Sequence, residues 1–167
     1  MSRRELPNKP LVEAILELQW ALESGTQPEV KRDPYYKFLL GSLLQSVSSE
    51  YPHHEELPTA SVPDELTPHI VHHRFRVSPN GWPLLQVGPG VFTVNDTVNY
   101  RWTDFEKRIN NAVPKLVSAY PRPDSLKFEV VMPRYINAIS LDVVDVNVLE
   151  FLNAKMKTSR KTGSMRT

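Results

Sequence analysis

The chain has 167 residues, 20 Lys and Arg against 19 Asp and Glu, a formal charge of +1, and no cysteine. That length suits one domain able to bury about 70% of its unfolded surface without a staple. The missing thiols exclude a disulfide framework, a thiolate metal site and a cysteine nucleophile, and the balanced charge excludes nucleic-acid binding driven by bulk charge.

The start, Met1-Ser2-Arg3-Arg4, is basic, but no apolar core of about 7–15 residues follows it before Pro10. No apolar run approaches the ~20 residues that a transmembrane helix needs. The expectation is therefore a cytoplasmic protein with no membrane contact. The 15 prolines sit mostly in connections, such as Pro52, Pro58, Pro63, Pro68, Pro121 and Pro123. They punctuate elements and form no low-complexity tract.

In chain order, Leu11–Trp20 comes first. Val12, Ala14, Leu16, Leu18 and Trp20 alternate with Glu13, Glu17 and Gln19, which predicts a strand, although Leu11, Ile15, Leu18 and Leu22 also satisfy helical spacing. Asp33-Pro34 predicts a helix start, with Asp33 as cap, and Tyr36, Leu40, Leu43, Val47 and Tyr51 form one apolar stripe over about 34–50. His53 to Pro68 is polar and proline-rich and reads as a long loop. Ile70–Val77 alternates, with Val71, His73, Phe75 and Val77 on one face and His72, Arg74 and Arg76 on the other.

Asn80-Gly81 supplies turn chemistry. Trp82–Val87 and Val91–Val94 then read as one returning strand, with Gly88-Pro89-Gly90 as a bulge or bend inside it. Thr103-Asp104-Phe105-Glu106 has the pattern of a capping box for a helix over about 104–119, which Pro114 should kink or interrupt. Leu126–Val131 alternates, Pro133 interrupts, and Tyr135–Ile139 resumes the strand. A last short helix is expected at Val146–Met156.

The expected order, β-α-β-β-α-β with a final helix, describes an α+β fold: an antiparallel sheet with two main helices on one face, in the split βαβ or ferredoxin-like arrangement. Residues 1–156 would form a single domain. Residues 157–167, basic and nearly devoid of apolar side chains, would form a disordered tail.

Four motifs stand out: Pro10-Leu11-Val12-Glu13-Ala14, Gly81-Trp82-Pro83-Leu84 continuing to Gln86 and Gly88-Pro89-Gly90, Val94-Asn95-Asp96, and Arg134-Tyr135-Ile136-Asn137. In this combination the chain resembles a sporadically distributed family of uncharacterised bacterial proteins. The resemblance covers most of the chain. It implies a bacterial source and a C-terminus shortened relative to family members, and it brings no activity, cofactor or catalytic residue with it.

The residues themselves point to no catalytic set, no cofactor site and no metal site. His53, His54, His69, His72 and His73 cluster in sequence with Glu55 and Glu56, but His72 and His73 would point to opposite faces of a strand, and a solvated loop accounts for the rest. Gly88-Pro89-Gly90 lacks the Gly-Lys-Ser/Thr of a phosphate loop, and no nucleophile elbow occurs. Asn95-Asp96 reads as an Asx-type strand end, and Asp104 with Glu106 as acids favoured at a helix N-terminus.

The candidate interaction surface comprises Arg74, Arg76, Trp82, Gln86, Asn95, Asp96, Trp102, Arg134, Tyr135 and Asn137. The expected function is a cytoplasmic interaction or regulatory module without catalysis, its partner a second copy or another protein. The alternative is a nucleic-acid-associated protein of a mobile accessory or defence cassette, since Arg74 and Arg76 with nearby aromatics could hold a single strand.

Overall fold

The ambiguous first segment is a strand: β1 spans Leu11–Trp20. A computed structural model describes residues 10–24, 30–97 and 99–138. After β1 come a two-residue ribbon of β2 (Glu23–Ser24) and β3 (Lys31–Arg32), helix α1 (Tyr36–Val47), and strands β4 (His53–Glu56), β5 (His73–Arg76), β6 (Leu84–Gly88) and β7 (Val91–Asp96). Helix α2 (Trp102–Ala119) and strand β8 (Phe128–Asn137) complete the described elements. Six strands form one sheet of order β4-β5-β6-β7-β1-β8, every neighbour antiparallel.

Both helices lie on one face. Ala14, Leu16, Leu18 and Trp20 of β1 join Phe75, Leu85, Val87, Phe92 and Val94 beneath Leu39, Leu43 and Val47 of α1 and Phe105, Ala112 and Leu116 of α2. Each such aliphatic or aromatic side chain contributes about 1.5–3 kcal/mol by leaving water. The two-residue period of the strands thus leaves Glu13, Ile15 and Glu17, with Leu84, Gln86, Thr93 and Asn95, on the face that carries no helix.

The α+β class, the antiparallel sheet and the two helices on one face therefore stand, but the strand order differs from the expected four-stranded one, because β5 and β4 extend the sheet beyond β6. Gly88-Pro89-Gly90 is a hairpin turn and not a bulge, so the expected single returning strand is two, β6 and β7. Gly88 pairs with Val91, so the chain reverses within two residues and β7 meets β1 antiparallel. Proline suits the first corner, and Gly90 takes the positive φ of +74° that the second demands. Gly88 is needed for another reason: a Cβ there would lie 1.8 Å from the carbonyl oxygen of Ile70, whose segment crosses β6.

Other expectations need correction. Residues 53–68 are not wholly loop, because His53–Glu56 pairs with His73–Arg76, bringing Glu55 opposite Arg74. Helix α1 begins at Tyr36, two residues after Pro34; Asp33 instead accepts the Tyr35 amide at 3.0 Å in the turn before it. Thr103 caps nothing, since α2 starts at Trp102 with the extended Arg101 as its N-cap and no side-chain cap bond. The helix runs through Pro114 to Ala119. Likewise β8 runs unbroken through Pro133, an edge position where proline is tolerated. The expected helix at Val146–Met156 and the tail at 157–167 lie outside the described residues. No helix among the described residues is long and apolar enough to cross a membrane.

Candidate functional site

The helix-free face carries two adjoining clefts. The first, of about 300 Å³, is lined by Glu13, Ile15, Arg74, Arg76, Trp82, Leu84, Gln86 and Asn95. The second, of about 380 Å³, shares Ile15, Gln86 and Asn95 and adds Glu17, Thr93 and Arg134, with the His69–Val71 segment along one side. Their floor is apolar, with Ile15, Leu84 and Val91 all buried.

The polar groups around that floor hold one another. Asn95 Nδ2 donates to Glu13 Oε1 at 2.6 Å, and the Thr93 hydroxyl donates to Asn95 Oδ1. Arg74 Nε donates to Gln86 Oε1 at 3.2 Å, while Arg76 Nε donates to Glu55 Oε2 at 3.0 Å and its Nη1 to the Gly81 carbonyl at 3.2 Å. Arg134 pairs with Glu17, which also accepts from Gln19. Three arginines are thus matched by Glu55 and Glu17 on or beside the face. Trp82 remains partly exposed at the rim, at 38%.

Of the residues singled out in the sequence, Arg74, Arg76, Trp82, Gln86 and Asn95 gather in the first cleft and Arg134 in the second. The other four lie elsewhere. Asp96 is buried in an ion pair with Arg108 of α2 and accepts the Thr97 amide at 2.9 Å. Trp102 opens α2, its ring edge-on to Phe105. Tyr135 sits opposite Ala14, on the helix side, its hydroxyl 3.3 Å from that of Tyr100. Asn137 ends β8, paired with Leu11. Sequence reasoning missed Glu13, Glu17, Thr93 and His69 as members of this face, although the alternation in β1 had set the two glutamates away from the core.

A second constellation lies on the helix side. His72 and His73 are not solvated, being 1% and 7% exposed, and they do not straddle the sheet. Strand β5 begins at His73, so His72 escapes the alternation, and both rings stand beside Tyr36 with centroids 5.6 and 6.5 Å away. His54 Nε2 lies 3.1 Å from His73 Nδ1. Burial holds both imidazoles below the ordinary histidine range, with His54 reinforcing the effect at His73 and Asp64 opposing it at His72. Burial, with Asp64, Asp33 and Glu56, likewise raises the Tyr36 hydroxyl, which keeps it neutral.

Asp64, His72 and Thr67 follow one another as acid, imidazole and hydroxyl, with His72 Nδ1 3.8 Å from Asp64 and Nε2 2.8 Å from Thr67 Oγ1. This is the order of a nucleophile triad. Thr67 is only 5% exposed, however, and its Oγ1 lies 3.3 Å from the Pro63 carbonyl, closing the short helical turn Asp64–Leu66. Among the described residues no three His, Asp or Glu side chains are placed to hold a metal ion.

The chain matches no protein-family model, no curated protein and no solved structure.

Proposed function

We propose that this protein is a non-catalytic interaction or regulatory module of the bacterial cytoplasm, and that it docks a protein partner on the helix-free face of its sheet. One observation carries the reading. Glu13, Gln86, Asn95 and Arg134 come from four separate sequence motifs, and all line the two adjoining clefts. Far apart in the chain, they meet only because β6, β7, β1 and β8 are neighbours.

The electrostatics favour a protein over a polyanion. Arg74 and Arg76 already pair with Glu55, and Arg134 with Glu17, so the face offers fixed hydrogen-bonding groups of both kinds around a partly exposed indole. Such a surface suits a partner of mixed polarity with one apolar group for Trp82. Because the side chains are held by each other, little ordering cost remains on binding.

Membership of a mobile accessory or defence cassette, acting on nucleic acid, is the second reading, favoured by Arg74 and Arg76 beside Trp82 in the first cleft and Arg134 in the second. Binding to single- and double-stranded RNA and DNA across a salt series separates the two. A nucleic-acid ligand contacting three phosphates would lose affinity with a log–log slope of about −2 to −3. The interaction-module reading expects no saturable binding to either polymer, and a slope in that range would replace it with the second.

A further inference from the structure

The two edges of the sheet are finished differently. β4 is four residues long and reads His53-His54-Glu55-Glu56, a short polar rim of the kind that guards a sheet against pairing with another chain. β8 is ten residues long and, among the described residues, pairs only with β1. Val131, Met132, Tyr135 and Ile136 all stand exposed along it, Val131 at 63%. Their register with β1 sets Val131 and Tyr135 on the helix side and Met132 and Ile136 on the helix-free side. This rim is therefore apolar on both faces.

We propose that β8 is the surface through which a second copy of this chain associates, antiparallel and about a two-fold axis, continuing the sheet from one copy into the other. The outward backbone groups of an edge strand are satisfied in series only by another strand. An occupant here must also be apolar on both of its faces, and the run Val130-Val131-Met132 of β8 itself meets that requirement. Charge favours the same direction. Glu129 precedes the run and Arg134, already paired with Glu17, follows it, so antiparallel pairing sets the acidic residue of one copy beside that ion pair in the other, whereas parallel pairing sets Glu129 against Glu129.

The same geometry sets the stoichiometry. Pairing consumes both copies of β8 and leaves two guarded β4 rims, so assembly closes at a dimer and does not run on into a fibre. Pro133 has no N–H and interrupts the backbone groups of this strand, which weakens the pairing and makes it depend on concentration.

Sedimentation of the full chain over a wide concentration range, together with Val131→Lys and two single-cysteine variants, tests this. Because the natural chain has no cysteine, a short bismaleimide can react only at the introduced thiol. We expect a species of twice the chain mass that dissociates on dilution, and a rise of about tenfold or more in its dissociation constant for Val131→Lys. Met132→Cys should give a covalent dimer, and Leu66→Cys, on an exposed turn distant in sequence from β8, should not. A monomer at every concentration overturns the proposal. A dimer that cross-links equally at both positions overturns it in favour of another surface. Should Val131→Lys fail to fold, the cysteine pair decides alone.

Discussion

The indole N–H of Trp20, at the end of β1, donates to Oδ2 of Asp33 over 2.9 Å. The other oxygen of Asp33 accepts from the Tyr120 hydroxyl at 3.0 Å and from the Tyr35 amide. One buried carboxylate thereby ties the sheet, the entry to α1 and the exit from α2. Asp33→Ala leaves an indole N–H and a phenol without acceptors in the core, and should destabilise the protein by about 3–5 kcal/mol. Asp33→Asn, which keeps one carbonyl acceptor, should cost less. Chemical denaturation of the two variants checks the order, and equal midpoints for wild type and Asp33→Ala would remove Asp33 from the account.

Acid should loosen the fold through His72 and His73. Both have folded-state pKa values below the unfolded value of about 6.5, so below that pH the unfolded chain binds more protons. The groups facing them are Tyr36 from α1, His54 and Glu56 from β4, and Asp64. Their stabilising contribution is therefore complete above pH ~6.5 and is lost as pH falls toward the depressed values, with a slope of at most about 1.4 kcal/mol per pH unit for each histidine. Replacing His73 with Phe should flatten this acid limb. Denaturant midpoints measured between pH 7.5 and 4.5 would show it, and a limb unchanged by the substitution would contradict it.

Three glycine-to-alanine changes should differ in sign and size. Gly88→Ala drives a Cβ into the backbone of Ile70 and should cost about 3 kcal/mol. At Gly90 the positive φ and the 2.7 Å approach to His69 and Leu22 predict a loss of about 1–3 kcal/mol. Gly41 lies within α1 with nothing within 4 Å of a Cβ, so Gly41→Ala should stabilise by about 0.5–1 kcal/mol. Thermal melts of the three proteins check the ranking.

Thr103→Ala should be nearly silent, within about 0.5 kcal/mol, because Thr103 makes no cap bond in a helix that starts one residue before it. A loss of 1 kcal/mol or more, the usual cost of removing an N-cap hydroxyl, would reinstate it as the cap.

What the sequence made legible was whatever a period reports. Alternation identified β1 and separated Glu13 and Glu17 from Leu16 and Leu18, and apolar stripes located both helices. The strand count turned on three residues whose composition suits a bulge and a turn equally. Reading Gly88-Pro89-Gly90 as a bulge merged β6 and β7 into one strand. At Thr103 the capping pattern was complete in sequence, but the extended backbone of Arg101 admits the chain to the helix earlier. The histidine pair was hidden because alternation holds only inside a strand, and β5 begins one residue after His72. Four of the ten surface residues left the face: Asp96 and Tyr135 because neighbours in an extended strand point to opposite sides, Trp102 because it opens α2, and Asn137 because it ends β8.

The central claim, a protein-docking face opposite the helices, is tested most directly by photocrosslinking in the living cell. A photoreactive phenylalanine analogue is placed at Trp82, on the rim of the first cleft, and separately at Phe38, exposed on α1 on the other side of the sheet. The account predicts a discrete adduct at position 82 that protease removes and nuclease does not, that weakens when Arg134 is replaced by Ala, and that is absent at position 38. An adduct that nuclease removes, one of equal yield at both positions, or none at position 82 would contradict it.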